Sequence, residues 1–285
     1  MARPLRIQYP GALYHLTARG NGGQKIFQDK LDYQIFLNEL KKTIENNNWL
    51  SYAYCLMPNH YHLFIKTLEP NLSAGMRQLN GNFTQKSNIR HQCYGHLFQG
   101  RFKSVLVESA GYQGNVVRYI TLNPVKVKLV KSLSQWPWSS HREIMGQSKA
   151  TGCVHSNETL ALFGKNKIAA KQEYSRFLKE KRDLEETWRD LHSGLILGSL
   201  EFVREVIDKY GNKEAKENIK KERFAGRPKI EDLFSKSKNR RQRNELMLKA
   251  YKKYGYTQTE IGKHLGLHYS TVSRIIDDMR AGQFG

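Results

Sequence analysis

The chain has 285 residues, with 47 Lys and Arg against 26 Asp and Glu and a formal net charge of +21 at pH 7. That length holds one large domain or two ordinary ones, with two favoured, and so large an excess of cations selects polyanions, nucleic acid first among them. No run of 18 apolar residues and no signal-peptide core is present, and the three cysteines, Cys55, Cys93 and Cys153, are widely spaced without a CxxC pair, which excludes a helical membrane span, a disulfide scaffold and a zinc ribbon and predicts a soluble protein with reduced thiols inside the cell.

Leu13 to Arg19 reads as a strand, and Lys30 to Asn47 as an amphipathic helix with Phe36, Leu37, Leu40 and Ile44 at helical spacing. Trp49 to Met57, rich in aromatic and β-propensity residues, is a second strand, and Pro58-Asn59 turns it into a third, His60 to Ile65. Residues i and i+2 of a strand share a face, so His60 and His62 make a pair of imidazole ligands pointing the same way. Leu72 to Ile89 is helical with an Asn- and Gln-rich polar face, suited to solvent or nucleic acid. Strand material follows between Arg101 and Val107. With Val116 to Asn123 helical, Tyr119 and Asn123 sit one turn apart on one face, a phenol beside an amide oxygen able to complete a metal site, and Pro124 closes that helix. The order βαββαβ predicts an α+β fold, a ferredoxin-like antiparallel sheet with helices on one side.

Beyond about residue 150 strand signals fade into helical ones, so the C-terminal region is expected to be mostly α-helical. Between Gly211 and Lys253 stand 15 Lys and Arg against 6 Asp and Glu, a composition of solvated faces or linkers, with a break at Gly226-Arg227-Pro228 and a candidate phosphate contact at Arg240 to Arg243. The tail from Tyr256 to Ile276 has the pattern of a helix-turn-helix. Thr257 caps a first helix with Glu260 three residues later, Leu265-Gly266-Leu267 turns, and a second helix begins near Ser270. His268, Tyr269, Ser270, Thr271, Ser273 and Arg274 are then its candidate major-groove contacts. These signals divide the chain into 1–150, a nuclease-type domain; 151–225, a helical extension with a basic linker; and 226–285, the helix-turn-helix.

The His60-Tyr61-His62 motif, a single tyrosine four residues before Asn123, the opening Ala2 to Gly11 and the run Trp136-Pro137-Trp138-Ser139-Ser140 resemble the REP-associated tyrosine transposases. These are single-tyrosine HUH endonucleases, related to small transposases that move insertion sequences as single-stranded DNA. The resemblance spans roughly residues 2–146. It implies the HUH nuclease fold, with Tyr119 as nucleophile, His60, His62 and Asn123 as metal ligands, and single-stranded, hairpin-forming repeat DNA as substrate, in a bacterial cytoplasmic, nucleoid-associated protein. From position alone Tyr119 is better suited to packing, so its role as nucleophile is what the resemblance implies, and Tyr112 is the reserve nucleophile.

Two imidazoles and an amide oxygen leave coordination positions for phosphate oxygens and water, which suits Mg²⁺ or Mn²⁺ better than a closed zinc site. The absence of H-x-H-x-D and of nearby thiolate pairs argues against a metallo-β-lactamase-like hydrolase and a zinc deaminase. Attack by Tyr119 would leave a 5′-phosphotyrosine and a free 3′-OH, and would conserve the bond energy for rejoining. Arg19, Arg101, Lys103 and Arg118 are candidate phosphate contacts, Tyr61 and Phe83 candidate stacking platforms, Cys55 a stray ligand, and His15 either close to the metal or packed. Duplex DNA is a further expected partner of the tail, and whether the chain is a monomer or a homodimer stays open. The alternatives are a non-catalytic helix-turn-helix regulator, against which the intact His60, His62, Tyr119 and Asn123 set speaks, and an HUH replication or relaxase-type initiator, against which the absence of a helicase-type phosphate loop speaks.

Overall fold

The structure is a computed structural model that describes residues 6–210, 228–235, 237, 239–252, 254 and 256–280. The opening residues 2–5 and the first part of the basic segment, 211–227, which holds the break at 226–227, lie outside the described residues. Two compact units form, one ending at Tyr210 and one beginning after it. The boundary expected near residue 150 therefore falls some sixty residues later, because the helices after it pack onto the first unit.

In that unit β1 (Ala12–Arg19), α1 (Lys30–Asn46), β2 (Trp49–Met57), β3 (His60–Thr67), α2 (Leu72–His91) and β4 (Lys103–Val107) follow one another. The sheet order begins β2-β3-β1-β4 with every neighbour antiparallel, the ferredoxin-like arrangement. Two short strands that the sequence reading missed, β5 (Leu191–His192) and β6 (Ile196–Leu197), extend it, β6 lying parallel to β4. Two-residue strands carry too little periodicity to register in a sequence.

α1 begins where Asp29 accepts hydrogen bonds from the amides of Leu31 and Asp32, and it ends before Asn48, whose φ of 53° is the left-handed turn-off that Asn tolerates. α1 and α2 cover one face of the sheet. Phe36, Leu40, Leu63 and Phe83 are buried there, each worth about 1.5–3 kcal/mol of transfer free energy. Tyr61 belongs to the same core, fully buried against Phe36 with its hydroxyl donating to Asn80 Oδ1 at 2.6 Å. Tyr61 and Phe83 thus cannot stack on DNA bases as expected, since their faces are consumed by packing. Polar clamps set the register of the two helices: buried Asp32 meets Arg90 at 2.7 Å and His91 at 2.9 Å, and buried Glu39 meets Lys86 at 2.6 Å.

α3 (Ser109–Lys126) packs against β2 and β3 on the opposite face. Pro124 does not close it, and the helix runs on to Lys126. A proline there leaves the carbonyl one turn back without its N–H partner, the loss of a single hydrogen bond two residues from the helix end. The run Trp136 to Ser140 shields the exposed edge of β2: Leu56 N–H donates to Trp138 O at 2.8 Å, Ser140 N–H to Tyr54 O at 3.0 Å, and the Trp138 ring stacks on Tyr33 at 4.4 Å. Covering an edge in this way blocks strand addition from another chain. α4 (His141–Ile144), α5 (Ser156–Ala161), α6 (Lys167–Lys179), a 3₁₀ turn (Leu184–Trp188), β5, β6 and α7 (Leu200–Tyr210) complete the unit.

The second unit contains α8 (Ile230–Phe234), α9 (Arg240–Lys252), α10 (Gln258–Leu265) and α11 (Tyr269–Arg280) around a core of Phe234, Met247, Tyr256, Ile261, Val272 and Ile276. The Thr257–Glu260 capping box forms as the sequence predicts, and Gly266 turns the chain at φ 66°. Among the described residues no helix is long and apolar enough to cross a membrane.

Candidate active site

Alternation along β3 separates two chemistries. Tyr61 enters the α1/α2 core, while His60 and His62 face α3 with ring centroids 4.9 Å apart. The turn that presents them is pinned from the segment after β1: Gly20 N–H donates to Asn59 O at 2.8 Å, and Ile26 N–H to Pro58 O at 2.8 Å. A Cβ on Gly20 would come within 2.1 Å of Gln24 O, so the Arg19-Gly20-Asn21 segment has a positioning role that needs glycine.

Tyr119 on α3 closes the cluster. Its ring stands edge-on to His62 at 5.7 Å and to His15 at 6.0 Å, and its hydroxyl makes no hydrogen bond among the described residues. Asn123, one turn on, is buried and donates Nδ2–H to Tyr119 O at 3.1 Å, which leaves Oδ1 as its acceptor for a cation. Lys126, on the same face, holds Nζ 5.6 Å from the Tyr119 ring and pairs with Glu185; that hydrogen bond holds its pKa above the usual lysine value. Tyr112, the reserve nucleophile, donates its hydroxyl to Asp190 at 2.9 Å, and burial followed by that bond pushes its pKa up to about 12.

Burial keeps the imidazoles neutral. Desolvation lowers His15 to about 3, and desolvation with the charge of Arg19 lowers His60 to about 4. Desolvation, then His15 and His60, hold His62 well below the ordinary value. Neutral imidazole is the metal-binding form. His62 Nε2 is buried with no hydrogen-bond partner, a state that costs free energy unless a donor or cation meets it. The residues therefore fit a divalent ion. Among the described residues no three His, Cys, Asp or Glu side chains form a group able to hold one, and Asn123 Oδ1 is an acceptor of another type one turn from Tyr119. Cys55 is fully buried in β2 and its thiol is directed at Met57 Sδ, 3.6 Å away.

Trp188, which the sequence reading did not single out, packs on this cluster from the 3₁₀ turn, 5.0 Å from His15 and 4.9 Å from Tyr119. Sixty-nine residues separate it from Tyr119, so no local pattern could announce it. Arg118, expected on phosphate, is instead buried, its guanidinium donating to the carbonyls of Phe177 at 3.1 Å, Glu180 at 2.5 Å and Arg182 at 3.1 Å. It ties down the C-terminal end of α6, whose last carbonyls lack helical partners. Arg19, Arg101 and Lys103 are exposed. Arg101 lines a groove of about 840 Å³ together with Arg6, Arg77, His96, Phe98 and Asn80.

Residues 8–123 match the family described as IS200-like transposases. The match makes this segment similar to the IS200-like transposases. It ends at Asn123, so it contains His60, His62 and Tyr119. The chain is 28% identical over 155 residues to a Haemophilus influenzae protein assigned as a REP-associated tyrosine transposase, covering 48% of this chain and 84% of that one. It is also 28% identical over 116 residues to the REP-associated tyrosine transposase of Escherichia coli, covering 39% and 67%. The solved structure of a REP-associated tyrosine transposase bound to a REP hairpin aligns with a TM-score of 0.45 at 22% identity, over 53% of this chain and 90% of that one. Downstream of that match, residues 238–284 match the family described as a homeodomain-like domain. On α11 and just before it His268, Tyr269, Ser270 and Arg274 are exposed, Thr271 and Ser273 half-buried; His268 Nδ1 meets Ser270 Oγ at 2.8 Å, and Ser273 Oγ accepts from Gln258 at 3.1 Å.

Proposed function

We propose that this chain is a metal-dependent single-stranded DNA endonuclease and strand transferase that acts at hairpin-forming repeats through a 5′-phosphotyrosine on Tyr119. The reading is carried by the convergence of His60, His62 and Tyr119, from a strand and a helix on one face of the sheet, inside the segment similar to the IS200-like transposases.

His60 and His62, with Asn123, would hold Mg²⁺ or Mn²⁺. When bound, such a cation supplies neutralisation of the phosphate and polarisation of its oxygen, worth several kcal/mol in the transition state. The Tyr119 oxygen attacks phosphorus, an O–P bond forms to the phenol, and the bond to the 3′-oxygen breaks to leave a 3′-OH. The Lys126 ammonium stands 5.6 Å from the Tyr119 ring, where it would offset negative charge on the phosphate under attack. Rejoining reverses the step with another 3′-OH and needs no ATP.

Arg19, Arg101 and Lys103 would follow the DNA backbone, with the groove of Arg6, Arg77 and Arg101 accepting unpaired nucleotides. His268, Tyr269, Ser270, Thr271, Ser273 and Arg274 would meet a duplex.

The deciding experiment incubates the chain with labelled single-stranded DNA from the repeats flanking its gene, with and without Mn²⁺. The parent forms a covalent adduct mapping to Tyr119. Tyr119→Phe folds and binds Mn²⁺ but forms neither adduct nor nick, and His60→Ala and His62→Ala lose the metal-dependent step. An adduct on Tyr112 would move the nucleophile, whereas cleavage by the parent with no trappable adduct would end the transposase reading.

A further inference from the structure

His15 is buried beside the site and has no part in the proposed reaction. On β1 it lies two residues from Thr17, the register partner of His62, so both imidazoles project from the same face. Its Nε2 is 2.9 Å from His62 Nδ1, and the two rings are within 6° of parallel. An imidazole N–H and an imidazole lone pair both lie in the ring plane, so this geometry suits one shared hydrogen.

The hydrogen can belong to either ring, and the two choices differ at the far nitrogen of His62. With the hydrogen on His15 Nε2, neutral His62 carries its own at Nε2, where it finds no acceptor and where no cation can bind. With the hydrogen on His62 Nδ1, Nε2 keeps a bare lone pair. At His60 the chemistry is already decided. Its Nδ1 lies 2.7 Å from Asn59 Oδ1, which only accepts, and Asn59 is oriented by donating Nδ2–H to Gly23 O at 3.3 Å. His60 therefore carries its hydrogen on Nδ1 and presents the Nε2 lone pair.

We propose that His15 accepts the Nδ1 hydrogen of His62 and so makes Nε2 the ligating atom, matching the tautomer that Asn59 sets at His60. His15 is then a positioning residue and not a ligand. The inference rests on the reading of His60 and His62 as cation ligands. Outer groups that fix the tautomer of a ligating histidine typically contribute about 10- to 100-fold in metal affinity.

Two substitutions separate this role from packing. His15→Phe keeps an aromatic ring beside Trp188 but deletes the acceptor, and His15→Gln places an amide oxygen near the position of Nε2. In metal-free parent protein, long-range ¹H–¹⁵N spectra should show His62 protonated at Nδ1. Mn²⁺ affinity, titrated by electron paramagnetic resonance without DNA, should fall about 10- to 100-fold in His15→Phe and be largely retained in His15→Gln. His62 protonated at Nε2 in the parent, unchanged affinity in His15→Phe, or equal losses in both variants would each overturn the proposal. Should His15→Phe fail to fold by circular dichroism, the parent spectrum and the His15→Gln titration still decide. A parent that binds Mn²⁺ in this His15-dependent way yet forms no Tyr119 adduct would overturn the proposed function and leave the role of His15 standing.

Discussion

Neutral buried histidines recur in the first unit, and they set how it responds to acid. His141 lies outside the candidate site, packed beside Tyr174 with Nδ1 3.3 Å from its hydroxyl, and burial lowers its pKa to about 4. An unfolded chain takes up this proton near pH 6.5, while the folded chain resists until about 4. The stability held by neutral His141 is therefore complete above about 6.5 and lost as pH falls toward 4, at most about 3 kcal/mol for this group. His15 and His60 act in the same direction. Denaturant melts at pH 8, 6 and 5 should show declining stability, with a shallower decline in His141→Gln; equal slopes would show that His141 is not among the responsible groups. Residue identity was the most legible level for the strand histidines, since alternation alone aligns His60 with His62. It failed for Arg118, because a cation in a sequence looks alike whether its donors meet phosphate or the end of a neighbouring helix.

At the scale of elements, the limits of β1, α1, β2 and β3 follow closely from hydrophobic period, the Pro58-Asn59 turn and capping residues. Departures came where a local rule met a larger context, as at Pro124, which is tolerated in the last turn of α3 and so keeps Asn123 within the helix. The helix-turn-helix depends on one close approach that the sequence reading passed over. A Cβ on Gly262 would meet Leu267 O at 2.5 Å, and Leu267 N–H donates to Gly262 O at 2.9 Å. Backbone cannot retreat as a flexible side chain can. Gly262→Ala should destabilise the second unit by about 1–3 kcal/mol, the usual cost of overpacking, and weaken duplex binding while leaving Tyr119 chemistry on a single strand unchanged. Normal duplex affinity and an unchanged melting profile in this variant would show that the turn accommodates a methyl group.

For the molecule as a whole, the division after Tyr210 predicts separable activities. A chain ending at Tyr210 should fold, bind Mn²⁺ and form the adduct with a minimal single strand, yet lose duplex affinity. Its binding should also depend less steeply on salt, because fewer counterions are released when fewer cations meet phosphate. Equal duplex affinity and equal salt slope with and without the second unit would remove DNA binding from its role. The sequence by itself determined the polyanion-seeking charge, the βαββαβ order, the pairing of His60 with His62 and the helix-turn-helix, since each is written in composition or in a period shorter than ten residues. Only the tertiary structure decided that α6, the 3₁₀ turn and the strands β5 and β6 belong to the first unit, that Trp188 lies on Tyr119, and that His15 meets His62. Those contacts join residues 47 to 90 positions apart, and they depend on how the sheet and helices pack.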